Sequence, residues 1–165
     1  MAQTATRGAS PLYRDIAERT QGELYIGVVG PVRAGKSTFI SNFMQQLVLP
    51  LVPPGPRRER IVDELPQSGS GKTIMTTQPK FVPSDGAATV QLPDHASARV
   101  RMVDSVGYLV RGALGTQEGG DARMVSTPWS QQDMPFEEAA QLGTRKVMTD
   151  HATVGVVVTL SLIHI

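Results

Sequence analysis

Gly30-Pro31-Val32-Arg33-Ala34-Gly35-Lys36-Ser37 fits the phosphate-loop pattern G-x-x-x-x-G-K-[ST], between an apolar run suited to a strand and a periodic run suited to a helix. Those flanks give the pattern mechanical meaning. The glycines let the backbone curl so that successive N–H groups face one point, where the following helix adds the positive end of its dipole. An anion is what such a nest holds. Lys36 would reach the β- and γ-phosphates of a nucleoside triphosphate, and the Ser37 hydroxyl would stand on Mg²⁺. Gly30, Arg33, Ala34, Gly35, Lys36, Ser37 and Thr38 are the candidate nucleotide contacts. The competing reading is a chance glycine turn with a surface lysine, and it leaves both flanks unexplained.

Phosphoryl transfer also needs a metal held opposite the loop serine. Val100 to Gly107 offers a strand that ends in Asp104, with glycine three positions later. D-x-x-G alone is a common turn. Downstream of a phosphate loop and at the end of a strand, it makes Asp104 the acid that holds Mg²⁺ through water. The Gly107 N–H would contact the γ-phosphate and release the next loop when that phosphate leaves. Thr76 and Thr77 precede the second strand, where a threonine can sense γ-phosphate and Mg²⁺. From composition alone, they are two β-branched residues opening a strand. The candidate metal ligands are thus Ser37, Asp104 and Thr77, and the candidate catalytic set is Lys36, Asp104, Thr76, Thr77 and Arg33.

Arg33 stands where some relatives of this class carry an asparagine that helps hold a monovalent cation, and its guanidinium could replace that ion beside the β–γ bridging oxygen. The alternative is a solvated loop arginine. Gly69 to Thr73 looks like a second phosphate loop, but Pro66 occupies the place of its first glycine, so it reads as a switch segment whose Lys72 can approach phosphate. His95 and His151 lack ligand-like company and read as hydrogen-bonded or exposed. Trp129 could pack the long glycine-containing loop or meet a partner.

The elements that must position these residues can be read from periodicity. Glu23 to Val29 is almost continuously apolar, as expected of a central parallel strand covered on both faces. Phe39, Ile40, Phe43, Met44, Leu47 and Val48 recur at helical spacing until Pro50 stops the pattern. A Pro/Gly loop follows, then arginines read as solvated, then a short helix into Leu65. Thr76–Val82 and Thr89–Leu92 read as two strands around the turn residues Ser84, Asp85 and Gly86, able to pair as a hairpin. Arg99–Asp104 alternates as a strand, whereas Tyr108–Ser126 has no period and reads as a long mobile loop. Pro135 opens a helix whose Phe136, Ala140, Gly143 and Val147 would face the sheet. Val154–Thr159 is a second fully apolar strand, so the order is that of a parallel α/β sheet.

Within 165 residues there is room for one main domain. Residues 1–11 read as a disordered arm, with a short amphipathic helix at Leu12 and Ile16 opening a domain that extends over 12–160. This fold, a P-loop NTPase three-layer sandwich, would be truncated after about its fourth strand. The last six residues, Leu160 to Ile165, can be written as the translation of a sequencing adapter and are set aside as a non-native tail, so His164 receives no role. Lys plus Arg total 16 against 15 Asp plus Glu, so bulk charge draws the chain to neither nucleic acid nor an anionic membrane. There are no cysteines, which fits a cytosolic default and excludes a thiol metal site. No signal peptide or apolar run of about 18 residues is present.

Asp15-Ile16-Ala17-Glu18-Arg19-Thr20, Gly27 to Gly30, Asp63 to Ser68, Gly71 to Thr77, Pro79 to Pro83 and Gly143 to Lys146 lie largely outside the generic nucleotide motifs. Together they closely resemble the stage IV sporulation protein A family, over about Leu12 to Thr159. The resemblance implies a GTPase-like (TRAFAC-type) fold that uses ATP and Mg²⁺, with hydrolysis coupled to polymerisation. It makes Lys36 the phosphate lysine, Asp104 the metal-side acid, and Thr76 and Thr77 the sensors. It also implies a mother-cell cytoplasmic protein on the outer forespore surface, self-assembled, anchored through a small amphipathic membrane peptide and collecting spore coat proteins. No nucleic acid is expected, and membrane contact only indirectly. A switch-type GTPase and a non-hydrolysing nucleotide-binding module are the rival readings, because the base-reading segment would lie beyond this chain.

Overall fold

The computed structural model describes residues 22–66, 78–91, 97–109, 117–118 and 121–159. The N-terminal arm and helix, Lys72, Thr76, Thr77, His95 and the 160–165 tail fall outside the described residues.

Strand β1 (Glu23–Val29) lies between β4 (Ser97–Asp104) and β9 (Val154–Val157), parallel to both. Its β-branched run suits a strand with neighbours on each edge, and Val28 is fully buried. Two short strands, β2 (Lys80–Val82) and β3 (Ala88–Gln91), pair antiparallel with β4 along its other edge. They lie in line rather than side by side, so the expected hairpin between them does not form. The reason is at the turn between them: Arg101 of β4 donates to the carbonyls of Pro83 and Ser84, holding that turn on β4 so the chain continues along the same edge.

Helix α1 (Lys36–Phe43) continues into a π turn, Met44–Val48, and a 3-10 turn, Leu49–Leu51, that contains Pro50. One straight helix up to Pro50 is the sequence expectation. Instead the Leu49 N–H reaches the Met44 carbonyl, five residues back, and the wider turn changes the phase of the stripe. Ile40, Met44 and Val48 stay buried while Leu47 faces outward, 57% exposed. They pack with Ile26, Val28, Val82, Val100 and Met102 on one sheet face, joined by Ile61 from α2 (Pro56–Glu64). Arg57 and Arg60 of α2 are not simply solvated, because both pair with Asp85 in the β2–β3 turn.

On the opposite face, Val29 and Val103 pack against Val147, which follows α3 (Phe136–Lys146). Phe136, Ala140, Gly143 and Val147 are buried as their spacing requires, and Ala139 joins them. The 108–126 segment is less irregular than expected. Its described part forms one short antiparallel ladder, β5 (Gln117–Glu118) with β6 (Asp121–Ala122), and supplies β7 (Met124–Val125), which pairs antiparallel with β8 (Met134–Pro135) beyond it. Two-residue strands carry no readable period. The result is a mixed α/β fold with a mostly parallel sheet and helical cover on both faces.

Candidate nucleotide-binding site

Parallel pairing fixes where the chemistry can assemble. Because β1 and β4 run in the same direction, with Val28 opposite Asp104, the loop after β1 and the segment after β4 leave the sheet at the same end. They then join directly. Val32 N–H donates to the Tyr108 carbonyl at 2.8 Å, and Tyr108 N–H to the Gly30 carbonyl at 3.2 Å. Ser105 adds a buried tie, its Oγ donating to the Val28 carbonyl at 2.8 Å.

Within this frame the loop closes on itself. The Pro31 carbonyl accepts from Ala34 N–H at 3.1 Å and from the Lys36 ammonium at 2.7 Å. Lys36 is only 5% exposed, so its charge is held inside the loop rather than in solvent. Burial pushes this ammonium below its ordinary 10.5, with the Asp104 charge pulling the other way. The chain passes through left-handed conformations at Arg33 (φ 65°) and Gly35 (φ 87°) before α1 starts. Gly107 (φ 94°) stands against the loop, where a Cβ would run into the Gly30 carbonyl and the Lys36 ammonium.

Ser37, in the first turn of α1, donates its hydroxyl to Asp104 Oδ2 at 2.6 Å across the gap between loop and strand. The other carboxylate oxygen, Oδ1, is buried and has no hydrogen-bond partner among the described residues. Burial pushes the Asp104 carboxyl above its ordinary 3.8, against the Ser37 hydrogen bond, the Lys36 and Lys80 charges and the Ser105 backbone N–H, which favour the carboxylate. A hydroxyl beside a carboxylate with an unsatisfied oxygen is a hard oxygen donor set of the kind Mg²⁺ takes. Among the described residues no group of three or more His, Cys, Asp or Glu could cage a metal. The fit is therefore to Mg²⁺ bound by one or two protein oxygens, with phosphate and water supplying the rest.

Gly30, Ala34, Gly35, Lys36, Ser37, Asp104 and Gly107 thus lie together where the loop meets the end of β4. Arg33 and Thr38 belong to the same loop and first helical turn, both exposed. The proposed sensors Thr76 and Thr77 lie outside the described residues. Sequence reading missed Ser105, Tyr108 and Lys80, whose places depend on pairing across strands. His151 meets Phe81 edge-on, with ring centroids 5.6 Å apart, a packing role rather than a ligand role.

The stage IV sporulation protein A ATPase-domain model matches residues 8–162. Over 147 residues, 89% of the chain, it is 60% identical to stage IV sporulation protein A of Clostridioides difficile (strain 630). The proteins of the same name from Bacillus subtilis (strain 168) and Bacillus anthracis are 53% and 51% identical, each over 90% of the chain. The chain spans about 30% of the length of each of these relatives. No solved structure matches it. With nearly its whole length matched by that model and more than half of the aligned positions identical in three relatives, the chain belongs to the stage IV sporulation protein A family and lies in its ATPase domain.

Proposed function

We propose that this chain is the P-loop ATPase portion of a spore coat scaffold, binding ATP with Mg²⁺ and hydrolysing it to drive polymerisation. The observation that carries the chemistry is the Ser37–Asp104 hydrogen bond, with Asp104 Oδ1 left unpaired beside the buried Lys36. Ser37 and Asp104 would hold Mg²⁺, which neutralises charge on the β- and γ-phosphates when bound. The backbone N–H groups of Gly35 to Thr38, at the start of α1, bind the phosphate tail. Lys36 turns from the Pro31 carbonyl toward the β- and γ-oxygens, and Arg33 places a further positive charge at the loop's edge. Thr76, Thr77 and the Gly107 amide orient the attacking water, so no single side chain must act as base.

Hydrolysis then removes the group that Gly107 contacts, and the Pro31–Tyr108 junction is the element through which the loss reaches the segment beyond. In the full-length protein that change drives self-assembly on the outer forespore surface in the mother-cell cytoplasm, with a small amphipathic peptide as membrane anchor and coat proteins as clients. The family match supports this setting. The near-zero net charge supports a partner set without nucleic acid. No described helix is long and apolar enough to cross a membrane.

Single-turnover hydrolysis of ATP and of GTP by the chain and by Asp104→Ala tests the reading. ATP turnover that falls about 100-fold or more in the variant is expected. Equal rates in variant and parent would dismiss hydrolysis at this site, and a preference for GTP would favour a switch GTPase.

A further inference from the structure

Lys80 is the first residue of β2 and lies opposite Asp104 in the antiparallel β2–β4 register. Directly opposed residues send their side chains to the same face of a sheet. For Asp104 that is the α1 face, because Ser37 of α1 donates to it. Val82, two residues along β2, confirms the assignment: it is fully buried and packs with Ile40 and Met44 of α1. Lys80 therefore starts from the α1 face at the loop end of the sheet, one strand beyond Asp104. It is exposed, and its ammonium acts on Asp104 by charge attraction.

Adjacent strands lie about 4.8 Å apart, so Lys80 on β2 stands one strand spacing from Asp104 on β4, and Lys36 lies on the other side of Asp104, at the end of the loop that follows β1. Lys36 is committed to the loop on one side of the carboxylate, and Lys80 is the cation on the other side. A diphosphate can be satisfied by the loop amides and Lys36. A third phosphate adds about one net negative charge, moves the doubly charged terminus outward, and extends away from the nest, toward Asp104 and Gly107.

We propose that Lys80 is a second phosphate-directed cation of this site, contacting the terminal phosphate and setting the preference for a nucleoside triphosphate over a diphosphate. This rests on the proposed nucleotide reading. The competing role is that of a lysine that keeps an edge strand from pairing with other chains, which would not sense phosphate number.

The test is the magnesium-dependent affinity of the full 165-residue chain for ATP and ADP, in wild type, Lys80→Met, Lys80→Gln and Lys80→Arg. Lys80→Met and Lys80→Gln are expected to weaken ATP binding about tenfold or more and leave ADP binding unchanged, with Lys80→Arg recovering most of the loss. A Lys80→Gln variant with the wild-type ATP-to-ADP ratio overturns the inference, whether both affinities stay level or fall together. Wild-type chain that binds neither nucleotide sinks the proposed function itself.

Discussion

Gly35 and Gly107 both adopt positive φ, but their surroundings make them unequal. A Cβ on Gly35 meets nothing within 4 Å, so Gly35→Ala carries only the left-handed backbone cost of about 1–2 kcal/mol. Gly107→Ala adds a collision with the Gly30 carbonyl and the Lys36 ammonium. It is expected to lower the denaturant midpoint more than Gly35→Ala and to abolish nucleotide affinity. Equal midpoints for the two variants would refute that ranking. The same pocket predicts a pH effect. Burial raises the Asp104 pKa, so between 3.8 and that raised value the folded chain holds a proton the unfolded chain has released. The Asp104 contribution to stability therefore falls as pH rises through this window and stays reduced above it. Asp104→Asn, which still accepts from Ser37, is expected to be at least as stable as the parent near pH 7 and to lose that advantage near pH 3. Urea titrations with parallel pH profiles would exclude this. Lys36, Ser37 and Asp104 are legible in the sequence because loop chemistry fixes their spacing. Lys80 is not, because its place comes from a register between segments more than 20 residues apart.

Among the elements, α1 is tied to the sheet by Ile40 and Met44, both fully buried. Met44→Ala is expected to cost about 2–5 kcal/mol, a large share of the stability of a domain this size, and thermal unfolding measures it. The link between α2 and the β2–β3 turn is of another kind. Asp85 takes both Arg57 and Arg60, and Ser84 N–H donates to Glu64 at 2.6 Å, but these groups are largely exposed. Asp85→Asn is expected to lower the thermal midpoint only slightly, by an amount that high salt erases. The long periods of β1, α1 and α3 made these elements legible. The π turn at Met44–Val48 was not, because apolar spacing alone does not distinguish four- from five-residue hydrogen bonding. Nor was the in-line arrangement of β2 and β3, which depends on Arg101 reaching the turn carbonyls.

For the molecule as a whole, the order β4-β1-β9 puts two parallel neighbours on β1, as its apolar sequence anticipates. The same inference fails for β9. Its residues are as apolar, yet Val154 and Val157 are 43% and 61% exposed, because among the described strands β9 pairs only with β1. Apolar composition reports what a strand can bury, not how many neighbours it has. Among the described residues one edge of β9 is unpaired, and an unpaired apolar edge favours association between chains. Val157→Lys is expected to reduce light scattering at high concentration while leaving the thermal midpoint unchanged; undiminished scattering would remove this edge as the cause.

The sharing of β4 has a consequence for timing. Held by β1 along one side and by β2 and β3 in succession along the other, it cannot separate unless three partners let go. Its backbone amides from Val100 to Val103 are therefore expected to be among the slowest in the chain to take up deuterium. The acid at its end is mounted on a beam that stays put while surrounding segments open and close.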